Sequence, residues 1–170
     1  MSPAGISMFY GATDIDTAVA EIGAHSSHSW AVVGEFKATR PLRVIDLSHL
    51  PALPSIFDFN ETTRANYDGI AFLHRFVKDL TLPITLDGRE HIDYVPTQVV
   101  TEYLRYSFPA PLDGLLFPSV QGPGRNVVLF CGPGTCCEPD AVGTDSWLVL
   151  SAGSVQKHRV ATVIKPVDLI

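Results

Sequence analysis

Two residues of this chain combine a reactive group with a setting that turns it toward a cleft: Glu21 and Ser119. Glu21 falls in a short helix predicted over Asp14-Ile15-Asp16-Thr17-Ala18-Val19-Ala20-Glu21-Ile22, closed by Gly23. Ile15, Ala18, Val19 and Ile22 take the i, i+3, i+4, i+7 spacing of a core-facing stripe. Glu21 lies at the edge of that stripe, with Thr17 one turn earlier on the same side. A carboxylate half drawn into the interior acts on a bound cationic group with little screening by water, which makes Glu21 the leading candidate for a catalytic acidic residue. Ser119 follows Pro118 at the end of an apolar strand, just before the turn Gly122-Pro123-Gly124. A side chain at a strand end beside a loop can face a cleft. Each residue also has a plainer reading: Ser119 as a turn residue bonding its own backbone, Glu21 as a solvated helix residue.

Other reactive side chains form weaker patterns. His25 and His28 are close enough to share a metal, but a cation site needs further ligands, and no HExxH or paired-cysteine motif accompanies them. A metal-dependent hydrolase using His25, His28 and a carboxylate is therefore a third-ranked reading, and no metal is expected. Cys131-Gly-Pro-Gly-Thr-Cys136-Cys137 has the wrong spacing for a zinc knuckle and lacks the Lys-Ser/Thr of a phosphate loop. Both Gly-Pro-Gly runs read as tight turns. Ser, His and Asp are present without a GxSxG elbow, so a hydrolase triad has no support.

The elements that must position these residues alternate between strand and helix patterns. A strand Ile6–Tyr10 runs through Gly11 and Ala12 into the first helix. Residues 29–38 read as one strand, with 41–46 as a second strand paired to it. Pro51 and Pro54 mark an irregular loop over 48–60. A helix is predicted from about Thr62 to Leu80, with Ile70, Leu73, Phe76, Val77 and Leu80 as its apolar stripe, Gly69 as a point where it could divide, and Pro83 as its stop. A polar loop follows over 85–93. The next helix has Pro96 in its first turn, where a missing N–H costs nothing, and a stripe of Val99, Val100, Tyr103 and Leu104. The final third reads as strands: 113–117 and 126–130 flanking the first Gly-Pro-Gly, then 147–150 and 160–167. The pattern predicts a single α+β domain with helices inserted between groups of strands.

The chain has 170 residues, 46% hydrophobic and 18% charged, which describes one domain with a real core. A net charge of −6, with only 12 Lys and Arg and no cluster of them, argues against binding nucleic acid through its phosphates. A small-molecule substrate or a protein partner suits this balance better. No apolar run approaches a membrane span, and no leader-like pattern opens the sequence. Three cysteines form no even disulfide framework, and the adjacent pair could bond only under strain. Reduced thiols in a cytoplasmic protein are the expectation.

Three runs, 5–22 (GISMFYGATDIDTAVAEI), 93–105 (DYVPTQVVTEYLR) and 113–130 (DGLLFPSVQGPGRNVVLF), together resemble the RES domain, a family named for an Arg, a Glu and a Ser. The resemblance implies a fold like that of ADP-ribosyltransferase toxins: a mixed, mainly antiparallel sheet with inserted helices. It implies NAD as a substrate that is broken or transferred, by glycohydrolysis, phosphorolysis or ADP-ribosyl transfer. It also implies a toxin silenced by a helix-turn-helix antitoxin. Residue by residue, the family's Glu falls on Glu21, its Ser on Ser119 and its pocket tyrosine on Tyr10, with Thr17 and Gln98 as neighbours of the site. The segment from Tyr67 to Pro83 resembles RES domains that sit behind a separate N-terminal helical domain in longer chains. The family's Arg belongs upstream of the first strand, and no arginine here precedes Arg40. The expectation is therefore a RES domain over 1–170 lacking its N-terminal start. The alternative is a RES-like binding or interaction module without turnover.

Overall fold

The computed structural model describes residues 5–24, 28–55, 57, 60–82 and 95–160. In chain order these form β1 (Phe9–Ala12), α1 (Ile15–Ala24), β2 (Trp30–Val33), β3 (Phe36–Ala38), β4 (Val44–Asp46), α2 (Glu61–Thr81) and α3 (Val95–Glu102). Then follow β5 (Gly114–Pro118), β6 (Arg125–Leu129), β7 (Cys136–Cys137), β8 (Leu148–Leu150) and β9 (Gln156–Arg159). The architecture is α+β with mainly antiparallel sheets, and no closed barrel forms among the described residues.

A four-stranded sheet in the order β1-β6-β5-β4 is the centre. Its core is the hairpin β5–β6, whose register sets Leu115 opposite Val128 and Phe117 opposite Asn126. β1 adds to the free edge of β6, with Tyr10 opposite Val128 and Ala12 opposite Asn126. Directly paired residues share a sheet face. Tyr10, Val128 and Leu115 therefore form one row across that face, and Ala12, Asn126 and Phe117 the next. On this face Leu115, Phe117 and Val128 join Leu47, Phe76 and Phe130 in the main core, packed by Leu73, Val77 and Leu80 of α2 and by Val100 and Leu104 of α3 and the turn after it. The opposite face carries a second core of Leu129, Cys131 and Leu148, with Phe9, Val127 and Trp147 against it. There it meets a three-stranded sheet, β3-β8-β7.

α2 begins at an N-cap, Asn60, whose side chain accepts the Thr62 N–H at 2.9 Å. It runs unbroken through Gly69, and its stripe faces the core as expected. Leu82, just before Pro83, is extended, as the residue ahead of a proline should be. In α3, Pro96 lies in the first turn, but half of the expected stripe faces outward: Val100 and Leu104 pack inward while Val99 and Tyr103 are exposed. No described helix is long and apolar enough to cross a membrane.

Two strand expectations are corrected. Residues 29–38 are not one strand: β2 pairs with β9 in a two-stranded ribbon, while β3 pairs with β8 in another sheet. The break falls at Gly34 and Glu35, where the Glu35 N–H donates to Ser154 Oγ and its carbonyl accepts the Ser151 N–H. Those long-range bonds turn the chain from one sheet into the next. Nor does the 41–46 segment pair with residues 29–38; β4 lies parallel to β5. Asp113 decides that placement. Its carboxylate accepts a two-pronged Arg40 guanidinium at 2.7 and 3.3 Å and the Arg43 N–H at 2.7 Å, and its own N–H donates to the Arg43 carbonyl. The Arg40 guanidinium also stacks over Trp147, 4.2 Å from the ring centroid. Of the last predicted strand, 161–167 lie outside the described residues; β9 precedes them. The 85–93 loop also lies outside the described residues.

The Arg40 hydrogen bond, with a further contribution from the Arg43 N–H, holds the Asp113 carboxyl below the usual carboxylate range. A folded-state value below the unfolded one of about 3.9 gives stability that is complete above that pH. It is lost as pH falls through the folded value. Asp113→Asn should therefore lower the urea midpoint at neutral pH and flatten its fall on the acid side, as read by urea unfolding from neutral pH into acid.

Candidate active site

The site begins with how α1 is capped. Asp14 ends the strand-to-helix turn and accepts the Thr17 N–H on Oδ1 at 2.8 Å and the Thr17 hydroxyl on Oδ2 at 2.9 Å. The Thr17 N–H does most to hold the Asp14 carboxyl below its ordinary range. While donating to Asp14, the Thr17 hydroxyl accepts the Gly124 N–H at 2.8 Å. Thr17 is fully buried. The Gly-Pro-Gly loop thus lies directly on the first turn of the helix. A Cβ on Gly122 would come within 2.6 Å of Thr17 Cα, so only glycine allows this approach.

This contact overturns the expected apolar stripe on α1. Ile15 and Ile22 are each 46% exposed, and Thr17 is the buried residue of the helix. The hydrogen bonds of Thr17 rotate the helix so that Thr17, Ala18 and Glu21, rather than the isoleucines, face the sheet.

One turn beyond Thr17, Glu21 meets the far end of the same loop. The Ser119 hydroxyl donates to Glu21 Oε1 at 2.6 Å. It also accepts the N–H groups of Gln121 and Gly122 at 3.1 and 3.0 Å. Ser119 thus bonds its own turn, as its plainer reading has it, and it also bonds Glu21. A second donor reaches the same oxygen, Asn126 Nδ2 at 2.7 Å. Among the described residues Oε2 has no hydrogen-bond partner, and no cation pairs with the carboxylate.

No motif singles out Asn126. Its position follows from the hairpin register, which sets it opposite Phe117 and Ala12 on the Tyr10 face. A strand residue of NVVLF, it signals nothing until that register is known. Its neighbour Arg125 points away and pairs with Asp46 at 3.0 Å.

Glu21 opens onto a cavity of about 380 Å³. The sheet supplies Tyr10, Ala12, Phe117, Asn126 and Val128 as its floor, α1 supplies Ala18, Glu21 and Ile22, and the end of α2 supplies Leu80, Thr81 and Leu82. Most of this lining is apolar, with Glu21, Asn126, Gln121, Thr81 and the Tyr10 hydroxyl as its polar groups. Of the three residues expected at the site, Glu21 and Tyr10 are on the wall. Ser119 is not among the lining residues, though its neighbours Pro118 and Val120 are. Thr17 and Gln98 are not part of the lining; Thr17 acts beneath it as the anchor of the loop.

Among the described residues no group of three or more His, Cys, Asp or Glu side chains is placed to hold a metal ion. His25 lies outside the described residues. Cys131, Cys136 and Cys137 are free thiols, and burial pushes the Cys136 thiol up.

The model of the RES domain family matches residues 1–150, and the chain belongs to that family. No curated protein and no solved structure matches the chain significantly.

Thr17→Val would leave the Gly124 N–H and one Asp14 oxygen without their partner, and should destabilise the fold by about 1–3 kcal/mol. Gly122→Ala should cost a similar ~1–3 kcal/mol through overpacking against Thr17. Urea unfolding measures both. A change under about 0.3 kcal/mol in either would show that the loop is not anchored here.

Proposed function

We propose that this RES domain consumes NAD by breaking the bond between nicotinamide and its ribose. The observation that carries this reading is the Glu21 carboxylate, held on one oxygen by two neutral donors at the wall of a largely apolar cavity. Breaking the C1′–N bond sends its electron pair to the ring nitrogen, releasing neutral nicotinamide and leaving positive charge on the ribose. A carboxylate without a cationic partner stabilises that charge as it develops, and the low-polarity surroundings strengthen the effect. A nucleophile, whether water, phosphate or a protein side chain, then adds to C1′ and gives up its proton.

In this reading Glu21 faces the ribose with Oε2, and Tyr10 and Phe117 supply an aromatic wall for the nicotinamide ring. Ser119 holds Glu21 and leaves contact with the substrate to others. Membership of the RES family supports the assignment, and with it the role of a toxin kept silent by a helix-turn-helix antitoxin in the cytoplasm.

One observation favours the second reading, a binding module without turnover. Among the described residues none of the cavity lining is a Lys or Arg, so the described lining offers a pyrophosphate no cationic grip, a contact worth on the order of a few kcal/mol in a closed site. Titration calorimetry with NAD, paired with an assay for released nicotinamide, separates the two. Heat of binding without release selects the module.

For the catalytic reading, Glu21→Gln should lower NAD turnover by about a hundredfold, the usual worth of one preorganised electrostatic contact. Nicotinamide release measured against the unchanged chain checks this, and equal rates would remove Glu21 from the reaction.

A further inference from the structure

Among the described residues that line the cavity, Glu21 alone carries a formal charge, and Tyr10 is the only other titratable group. What fixes the direction of that carboxylate is therefore what fixes the electrostatics of the site. Ser119 belongs to a loop that is itself anchored through Thr17. Asn126 reaches the same oxygen from a central strand of the sheet floor, paired on both sides, and unlike Ser119 it lines the cavity.

We infer that Asn126 is the positioning residue that aims Glu21 into the cavity, its amide acting as a neutral donor to Oε1 so that Oε2 is presented to the ribose. This deepens the proposed NAD chemistry and rests on it. The amide suits the task for two reasons. It donates a strong, charge-assisted hydrogen bond without cancelling the negative charge. It also cannot ionise, so the donor persists at every pH. A Lys or Arg in its place would quench the charge. The nearby structural carboxylates illustrate the contrast: Asp46 pairs with Arg125 and Asp113 with Arg40.

The test replaces the amide with its isosteric acid. In Asn126→Asp two carboxyl groups would sit at hydrogen-bond distance, where both cannot ionise, so the pair shares one proton with an upper titration well above the ordinary carboxylate range. While that proton is present, the new O–H donates to Glu21 as the amide did. Among the described residues, the other charges on the packed elements are exposed or otherwise engaged. Asp14 bonds Thr17, Arg125 pairs with Asp46, and Asp16, Lys78 and Asp79 are exposed. Nicotinamide release by Asn126→Asp should stay within about threefold of the unchanged chain on the acid side and fall at least tenfold as pH rises through the upper titration. Asn126→Ala, with no donor at any pH, should be lowered about ten- to a hundredfold throughout.

The shared proton is read independently of activity by carbon NMR of labelled carboxyl side chains. A titrating carboxyl well above the ordinary range in Asn126→Asp, absent from the unchanged chain, supports the inference even if no NAD is consumed; in that case only the NAD reading fails. A new carboxyl titrating in the ordinary range overturns it. Should Asn126→Asp not fold, Asn126→Ala decides: turnover, or NAD binding where there is no turnover, equal to that of the unchanged chain overturns the inference, and a tenfold loss supports it.

Discussion

The site depends on one buried hydroxyl that is used in both directions. Thr17 Oγ1 donates a hydrogen bond to the capping carboxylate of Asp14 and accepts one from the Gly124 N–H. A fully buried hydroxyl left unpaired would be costly, so both partners are fixed relative to the helix. Through that atom the start of α1 and the β5–β6 loop, far apart in the chain, become one rigid unit. Glu21 lies one turn along the helix from this joint and Ser119 at the base of the loop. There Ser119 and Glu21 meet at 2.6 Å.

The carboxylates of the molecule divide by what holds them. Asp113 and Asp46 pair with guanidinium groups, and Asp14 accepts two donors from the first turn of α1. These serve the fold, and their negative charge is met by cations or by the positive end of a helix. Among the described residues, Glu21 is held by a hydroxyl and an amide alone. Neutral donors orient it while leaving its charge available to a ligand. That difference, more than depth of burial, sets Glu21 apart from the other three.

Some of this was legible in the residues. Apolar spacing placed α2 correctly from Thr62 to Leu80, because a long amphipathic helix takes its pattern from local geometry. The β5–β6 hairpin was legible for the same reason, its strands being close in sequence and joined by a glycine turn. The resemblance of three runs to the RES domain brought Glu21, Ser119 and Tyr10 forward, and the family match over residues 1–150 agrees with it. The spacing of Ile15, Ala18, Val19 and Ile22 misled, because a buried network centred on Thr17 outweighed the pull of two isoleucines toward the core. The pairing of β4 was hidden because it hangs on Asp113 reaching Arg40 and Arg43 across about seventy residues of chain.

By itself the sequence determined most of the kinds of element, which follow from residue type and from spacing within a few turns, and, through three matching runs, the family. Only the tertiary structure decided which face α1 turns inward, that Asn126 joins Ser119 on one oxygen of Glu21, and that a cavity opens beside them. The physical reason is that a hydrogen bond between distant segments leaves no periodic trace along the chain; it exists only once sheet register and helix rotation have been set together.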